Sequence, residues 1–158
     1  MIGSVFGEFS FAPAAFNKKE LTGEAASDVI RKVYGEHTEE LIQAFAKAYP
    51  GKYPTDLLFV DRAMRQPSKQ LAALHAGKGN AGTYLYDFTL EFPFMHDKIA
   101  WHCSDIPFFF HNTDRVEICG IPGVSDKLQE QIFGAFIPYS KTGDTKHDGL
   151  HAWPPVTA

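Results

Sequence analysis

The sequence predicts an α/β chain, mostly helical, with about two parallel strands. Residues 2–6 form a short apolar run closed by Gly7, and residues 83–90 are β-branched and aromatic with turn residues on either side. Helical periodicity fills the chain between them, so the two strands are joined by a crossover and run in the same direction. Of the 158 residues 44% are hydrophobic and 14% aromatic, ample for one core. Neither a repeat nor a linker divides residues 1–158, which read as a single domain.

The elements follow from local pattern. Ile2-Gly3-Ser4-Val5-Phe6 is a buried strand that stops at Gly7, where Glu8 begins a turn. A strand so near Met1 points to missing chain upstream. Residues 17–34 place Leu21, Val29, Ile30 and Val33 between polar positions, with Asn17 as an N-cap and Gly35 as a stop, which suits one or two helices. From Thr38, the residues Leu41, Ile42, Phe45, Ala46 and Tyr49 keep helical spacing until Pro50-Gly51.

A further helical stretch from about Thr55 to His75 contains Pro67, so it kinks there or restarts with Pro67 in a first turn. Gly77, Gly79 and Gly82 make the loop into the second strand, and residues 92–101 are too irregular to assign. Ser104 caps a short helical turn through Pro107 to Phe110. Ser125 caps the last helix, Asp126 to about Ser140, which carries Leu128, Ile132, Phe133, Phe136 and Tyr139 on one face and stops at Thr142-Gly143.

Composition narrows the function classes. A net charge of −4 and a pI near 5.9, with no basic run, argue against nucleic acid or an anionic membrane as a partner. Cys103 and Cys119 are too few for a secreted disulfide framework and lack zinc spacing, so a reducing, cytoplasmic setting is the default. No charged leader precedes the apolar start, and no apolar run approaches the ~18 residues of a membrane span.

Two segments carry chemistry: Ile2-Gly3-Ser4-Val5-Phe6-Gly7-Glu8-Phe9 and Trp101-His102-Cys103-Ser104-Asp105-Ile106-Pro107-Phe108-Phe109-Phe110. They resemble the type-B carboxylesterase family, which includes the cholinesterases. Its typical forms are Ile-Gly-x-x-x-Asp-Glu-Gly around a catalytic acid and His-Gly-x-Glu-Leu-Pro-Phe-Val-Phe around a catalytic base. Asp61 through Ser68, Tyr84 through Phe88 and Phe136 through Pro154 support the resemblance in the same order. It covers nearly the whole chain but only the family's C-terminal portion, and no Gly-x-Ser-x-Gly nucleophile elbow occurs anywhere in the sequence.

The resemblance implies the C-terminal part of an α/β-hydrolase fold, with Glu8 as the acid and His102 as the base. An imidazole accepts and returns a proton near neutrality, and a carboxylate on its other nitrogen fixes the tautomer and stabilises the imidazolium. Gly7 stands where the family has Asp, Phe9 where it has Gly, Cys103 where Gly is common, and Pro138 interrupts a helix that is usually continuous.

Other residues have plainer readings. Asp105 suits the N-terminus of a short helix. Cys103 lacks an activating environment. His147, Asp148 and His151 read as a solvated loop rather than metal ligands, and Phe108 to Phe110 as core. No cofactor or metal is implied.

The chain therefore reads as a fragment of a carboxylic ester hydrolase that supplies acid and base, lacks the serine and oxyanion hole, and is inactive alone. Its implied partner is the N-terminal portion of the hydrolase, or a second copy, at an exposed sheet edge. The alternative is a non-catalytic interaction module descended from the same fold.

Overall fold

The computed structural model describes residues 1–11, 14–79 and 82–157. Its centre is a parallel pair, β1 (Ile2–Val5) and β2 (Leu85–Phe88), in the register Ile2 opposite Leu85 through Val5 opposite Phe88. Between them come α1 (Gly23–Tyr34), α2 (Thr38–Ala48), a 3-10 segment (Pro54–Phe59) and α3 (Arg65–Gly77). After β2 follow a short antiparallel pair, β3 (Glu91–Phe92) with β4 (Lys98–Ile99), then α4 (Ile106–Phe109) and the long α5 (Ser125–Thr142). The predicted class, mostly helical with two parallel strands, is the observed one.

Pro67 lies in the first turn of α3, where its missing N–H costs nothing, so the chain restarts there rather than kinking. The irregular stretch 92–101 holds the end of β3 and all of β4, too short for any periodicity to announce them. Three expected caps act differently. Asn17 closes a turn by accepting from the Lys19 N–H at 3.1 Å, while Thr22 precedes α1. Ser104 Oγ accepts from the Trp101 N–H at 3.2 Å, and Asp105 precedes α4. Ser125 is the first residue of α5, and its hydroxyl accepts from the Ile121 N–H and donates to the Cys119 carbonyl. In each case the side chain satisfies the loop before the helix, a competition open to any Ser or Asn.

The core gathers on and around the ends of the two strands. Phe6 is fully buried between Phe45 and Tyr49 of the α2 segment, both edge-on to it. Phe88 meets Phe108 of α4 at 5.1 Å between centroids, so the last strand residue anchors the helix that follows His102. Asp61 ties the start of α3 to β1: its backbone N–H donates to the Phe6 carbonyl at 2.8 Å. Its carboxylate accepts from the N–H groups of Ala63, Met64 and Arg65, the donors a helix start leaves unsatisfied. No helix among the described residues is long and apolar enough to cross a membrane.

A buried ion pair holds the 3-10 segment. Lys18 Nζ lies 2.9 Å from Asp56 and 3.3 Å from Glu91, which also pairs with Lys52 at 2.8 Å. Burial outweighs the Lys18 ammonium and pushes the Asp56 carboxyl above its ordinary range. Removing one partner leaves the other buried and uncompensated, so Asp56→Ala should destabilise the chain by about 3–5 kcal/mol, measured by urea unfolding. An unchanged midpoint would show that the pair is not load carrying.

A second pair is solvent-facing. His111 Nε2 meets Glu130 Oε1 of α5 at 2.9 Å, and this hydrogen bond holds the imidazole above its ordinary value. A raised folded value means the extra stability is fully present below the ordinary imidazole pKa of about 6.5 and is lost as pH rises through the folded one. The difference in melting temperature between the wild type and His111→Gln should therefore shrink from pH 5.5 to 8.5. A difference independent of pH would contradict the linkage.

Candidate active site

The expected acid loop, around Glu8, and the expected base loop, around His102, are joined through their backbones before any side chain is considered. Past β1 the chain continues the ladder: the Phe6 N–H donates to the Phe88 carbonyl at 2.9 Å and the Gly7 N–H to the Ala100 carbonyl at 2.9 Å. A Cβ at Gly7 would sit 2.5 Å from Ile99 Cδ1 and 3.1 Å from the carbonyls of Ala100 and Phe59, so a side chain there would require Ile99 and the two carbonyls to give way. The chain then turns, with the Ser10 N–H donating to the Gly7 carbonyl at 2.8 Å. Within that turn the Glu8 carbonyl accepts from the His102 N–H at 3.0 Å.

This framework brings together the two residues singled out in the sequence. Glu8 is buried. One carboxylate oxygen accepts from the Val5 N–H at 2.9 Å and the other lies 2.7 Å from His102 Nδ1. Both oxygens are thus committed, and the second orients the imidazole. The His102 side chain is half exposed, and its Nε2 makes no hydrogen bond among the described residues. A carboxylate fixed on Nδ1 with Nε2 left without a hydrogen-bond partner among the described residues is an arrangement that can take a proton from an incoming group and give it back.

The base loop is braced from beneath. Trp101 packs on Phe92 at 4.6 Å and edge-on to Phe94. Asp105 accepts from the Tyr86 hydroxyl at 2.9 Å, and Tyr86 crosses β1 at Gly3, where a Cβ would lie 2.1 Å from its ring. Burial, and then the Asp105 carboxylate, push the Tyr86 phenol well above its ordinary value, which keeps it a donor. Asp105 therefore locks the base loop to β2, a role beyond a helix-end charge. No local pattern pairs Tyr86 with Asp105, because Asp105 lies in the loop before α4 and only the tertiary fold brings it to the Tyr86 hydroxyl.

The remaining candidates lie apart in kind. Cys103 is exposed at a positive φ of 69°, and Cys119 is buried, which raises its thiol pKa. His147 packs against Gly134 of α5, and among the described residues no three His, Cys, Asp or Glu come together as a metal would need. Phe108 is core, Phe109 packs on Tyr86 and Phe136, and Phe110 is largely exposed. A cavity of about 630 Å³ opens between β2 and α5, lined by Leu90, Leu128, Ile132, Leu150 and Trp153 among others, but neither Glu8 nor His102 reaches it.

No family model matches the chain. Similarity to solved structures is extensive. An esterase from the anaerobe Clostridium hathewayi that can hydrolyze aliphatic aromatic polyesters superposes with a TM-score of 0.94 and 46% identity, over 98% of this chain and 31% of that one. A thermophilic PNB esterase superposes at 0.54 with 20% identity, over 96% of this chain and 31% of its own, which shows the fold alone. In sequence, a phenmedipham hydrolase from Pseudarthrobacter oxydans is 33% identical over 79 residues, 46% of this chain and 16% of that hydrolase. The chain thus spans about a third of the length of these esterases. In fold the chain matches the C-terminal portion of α/β-hydrolase esterases, and in sequence it is 46% identical to one of them over that portion.

Proposed function

We propose that this chain supplies the catalytic acid, Glu8, and the catalytic base, His102, of a carboxylic ester hydrolase. The carrying observation is the 2.7 Å bond from His102 Nδ1 to a carboxylate whose other oxygen is already held by backbone, on a half-exposed imidazole whose Nε2 makes no hydrogen bond among the described residues. The likeness to an esterase at 46% identity supports the substrate class, an ester of a carboxylic acid.

In the mechanism, a serine hydroxyl from the rest of the enzyme attacks the ester carbonyl as His102 Nε2 takes its proton. Glu8 stabilises the resulting imidazolium without being protonated. The tetrahedral oxyanion rests on backbone N–H donors outside this chain. As the intermediate collapses, the C–O bond to the alcohol breaks and His102 returns the proton to that oxygen. Water then repeats the sequence on the acyl-serine: His102 removes its proton, the C–O bond to serine breaks, and the acid is released.

Acid and base alone have no nucleophile to activate. Purified chain should therefore show no turnover of short acyl esters above buffer, and turnover abolished by His102→Ala would overturn the reading. In an enzyme completed with a serine-bearing N-terminal portion, Glu8→Gln should lower kcat by about 10⁴-fold, since the wrong tautomer is then held. A loss below tenfold would remove Glu8 from the acid role.

The partner that fits is that N-terminal portion. Among the described residues β1 pairs only with β2, leaving its outer edge open, and an open edge with apolar surface beside it recruits another strand. In solution the isolated chain should self-associate or bind the missing portion. A well-ordered, strictly monomeric species by light scattering would count against this. The free thiols Cys103 and Cys119 suit a reducing, cytoplasmic setting.

A further inference from the structure

The turn that delivers Glu8 also delivers an aromatic ring to the same imidazole. Gly7 through Ser10 close on the Ser10 N–H to Gly7 carbonyl bond, so Glu8 and Phe9 are its two central residues. Glu8 points back to Val5 and His102. Phe9 lies beside His102 with the two ring planes within 10° of parallel and the centroids 6.4 Å apart. That separation falls in the range of offset-stacked aromatic pairs.

Within this chain, burial does not explain Phe9. It is 57% exposed and outside the core cluster, and its other ring neighbour, Phe11, is 60% exposed as well. Charge does not explain it either. At 6.4 Å the rings meet near their edges, beyond the ~6 Å within which an aromatic face attracts a cation. What remains is orientation. The Glu8 bond holds one nitrogen of the imidazole within the ring's own plane but leaves tilt about that bond open on a half-exposed side chain. A flat group set parallel beside the imidazole restricts that tilt.

We propose that Phe9 is a positioning residue for His102, acting with Glu8 to hold the imidazole in one orientation. This rests on Glu8 and His102 being the acid and base, yet it is testable on the chain itself without turnover. The readout is the Nδ1-bound proton of His102 in histidine-labelled protein, seen by NMR as a low-field signal whose exchange with water reports how firmly the ring is held against the carboxylate.

Phe9→Gly should speed that exchange by roughly two- to tenfold, the change to which one aromatic pair corresponds. Phe9→Leu, apolar but without a flat face, should behave like the glycine variant, and Phe9→Tyr should restore the wild-type rate. Circular dichroism and the melting temperature should be alike in all three. If Phe9→Gly and Phe9→Leu keep the wild-type signal and exchange rate while Glu8→Gln abolishes the signal, the positioning role is wrong and the acid–base reading stands. If Glu8→Gln also leaves the signal unchanged, the hydrogen bond itself is not formed in solution and both readings fall.

Discussion

Close backbone contact between the end of β1 and the segment that follows β4 is the constraint on which the site depends. Gly7 approaches Ala100 near enough for an N–H to carbonyl bond at 2.9 Å, and one residue later the Glu8 carbonyl receives the His102 N–H. Two bonds one residue apart fix the relative position of loops 94 positions apart in sequence. The side-chain contact between Glu8 and His102 is then a short reach rather than a search. At position 7 the glycine leaves this contact uncrowded: a Cβ would press on Ile99 and on the carbonyls of Ala100 and Phe59.

Around this contact the molecule spends buried polar groups on fixing loops. Asp61 closes the start of α3 with three backbone donors while its own N–H reaches Phe6, so the helix start and the acid loop share one anchor. Tyr86 bonds Asp105 across Gly3 and ties α4 to the strand pair. Lys18, Asp56, Glu91 and Lys52 join the 3-10 segment to β3. Buried polar groups are costly unless fully partnered, so such contacts specify one arrangement of the loops more than they add net stability.

The distribution of apolar surface fits a portion of a larger fold. Two parallel strands do not make a protected sheet, since parallel sheets are covered on both faces. Here α3 packs against both strands while the cavity between β2 and α5 stays open. Exposed Leu71 and Leu74 on α3 extend the uncovered surface. The chain spans only 31% of the esterase it matches at a TM-score of 0.94, so in that protein the same fold is embedded in far more structure.

Sequence alone determined the strong elements. The β-branched and aromatic residues 83–90 between turn residues announced β2, the spacing from Leu41 to Tyr49 announced α2, and Pro67 announced a kink or a restart, because each is a local property of side-chain type, period or proline geometry. It also supplied Glu8 and His102, through the residues flanking them. Tertiary structure decided the rest. The strands β3 and β4 are two residues each and exist only by pairing with one another. Whether Ser104 and Ser125 cap a helix or a preceding turn depends on which backbone donor comes within reach. The distance from Glu8 to His102, the Tyr86–Asp105 bond and the ring of Phe9 beside the imidazole all arise where segments far apart in sequence converge, and no local pattern encodes a contact across such a separation.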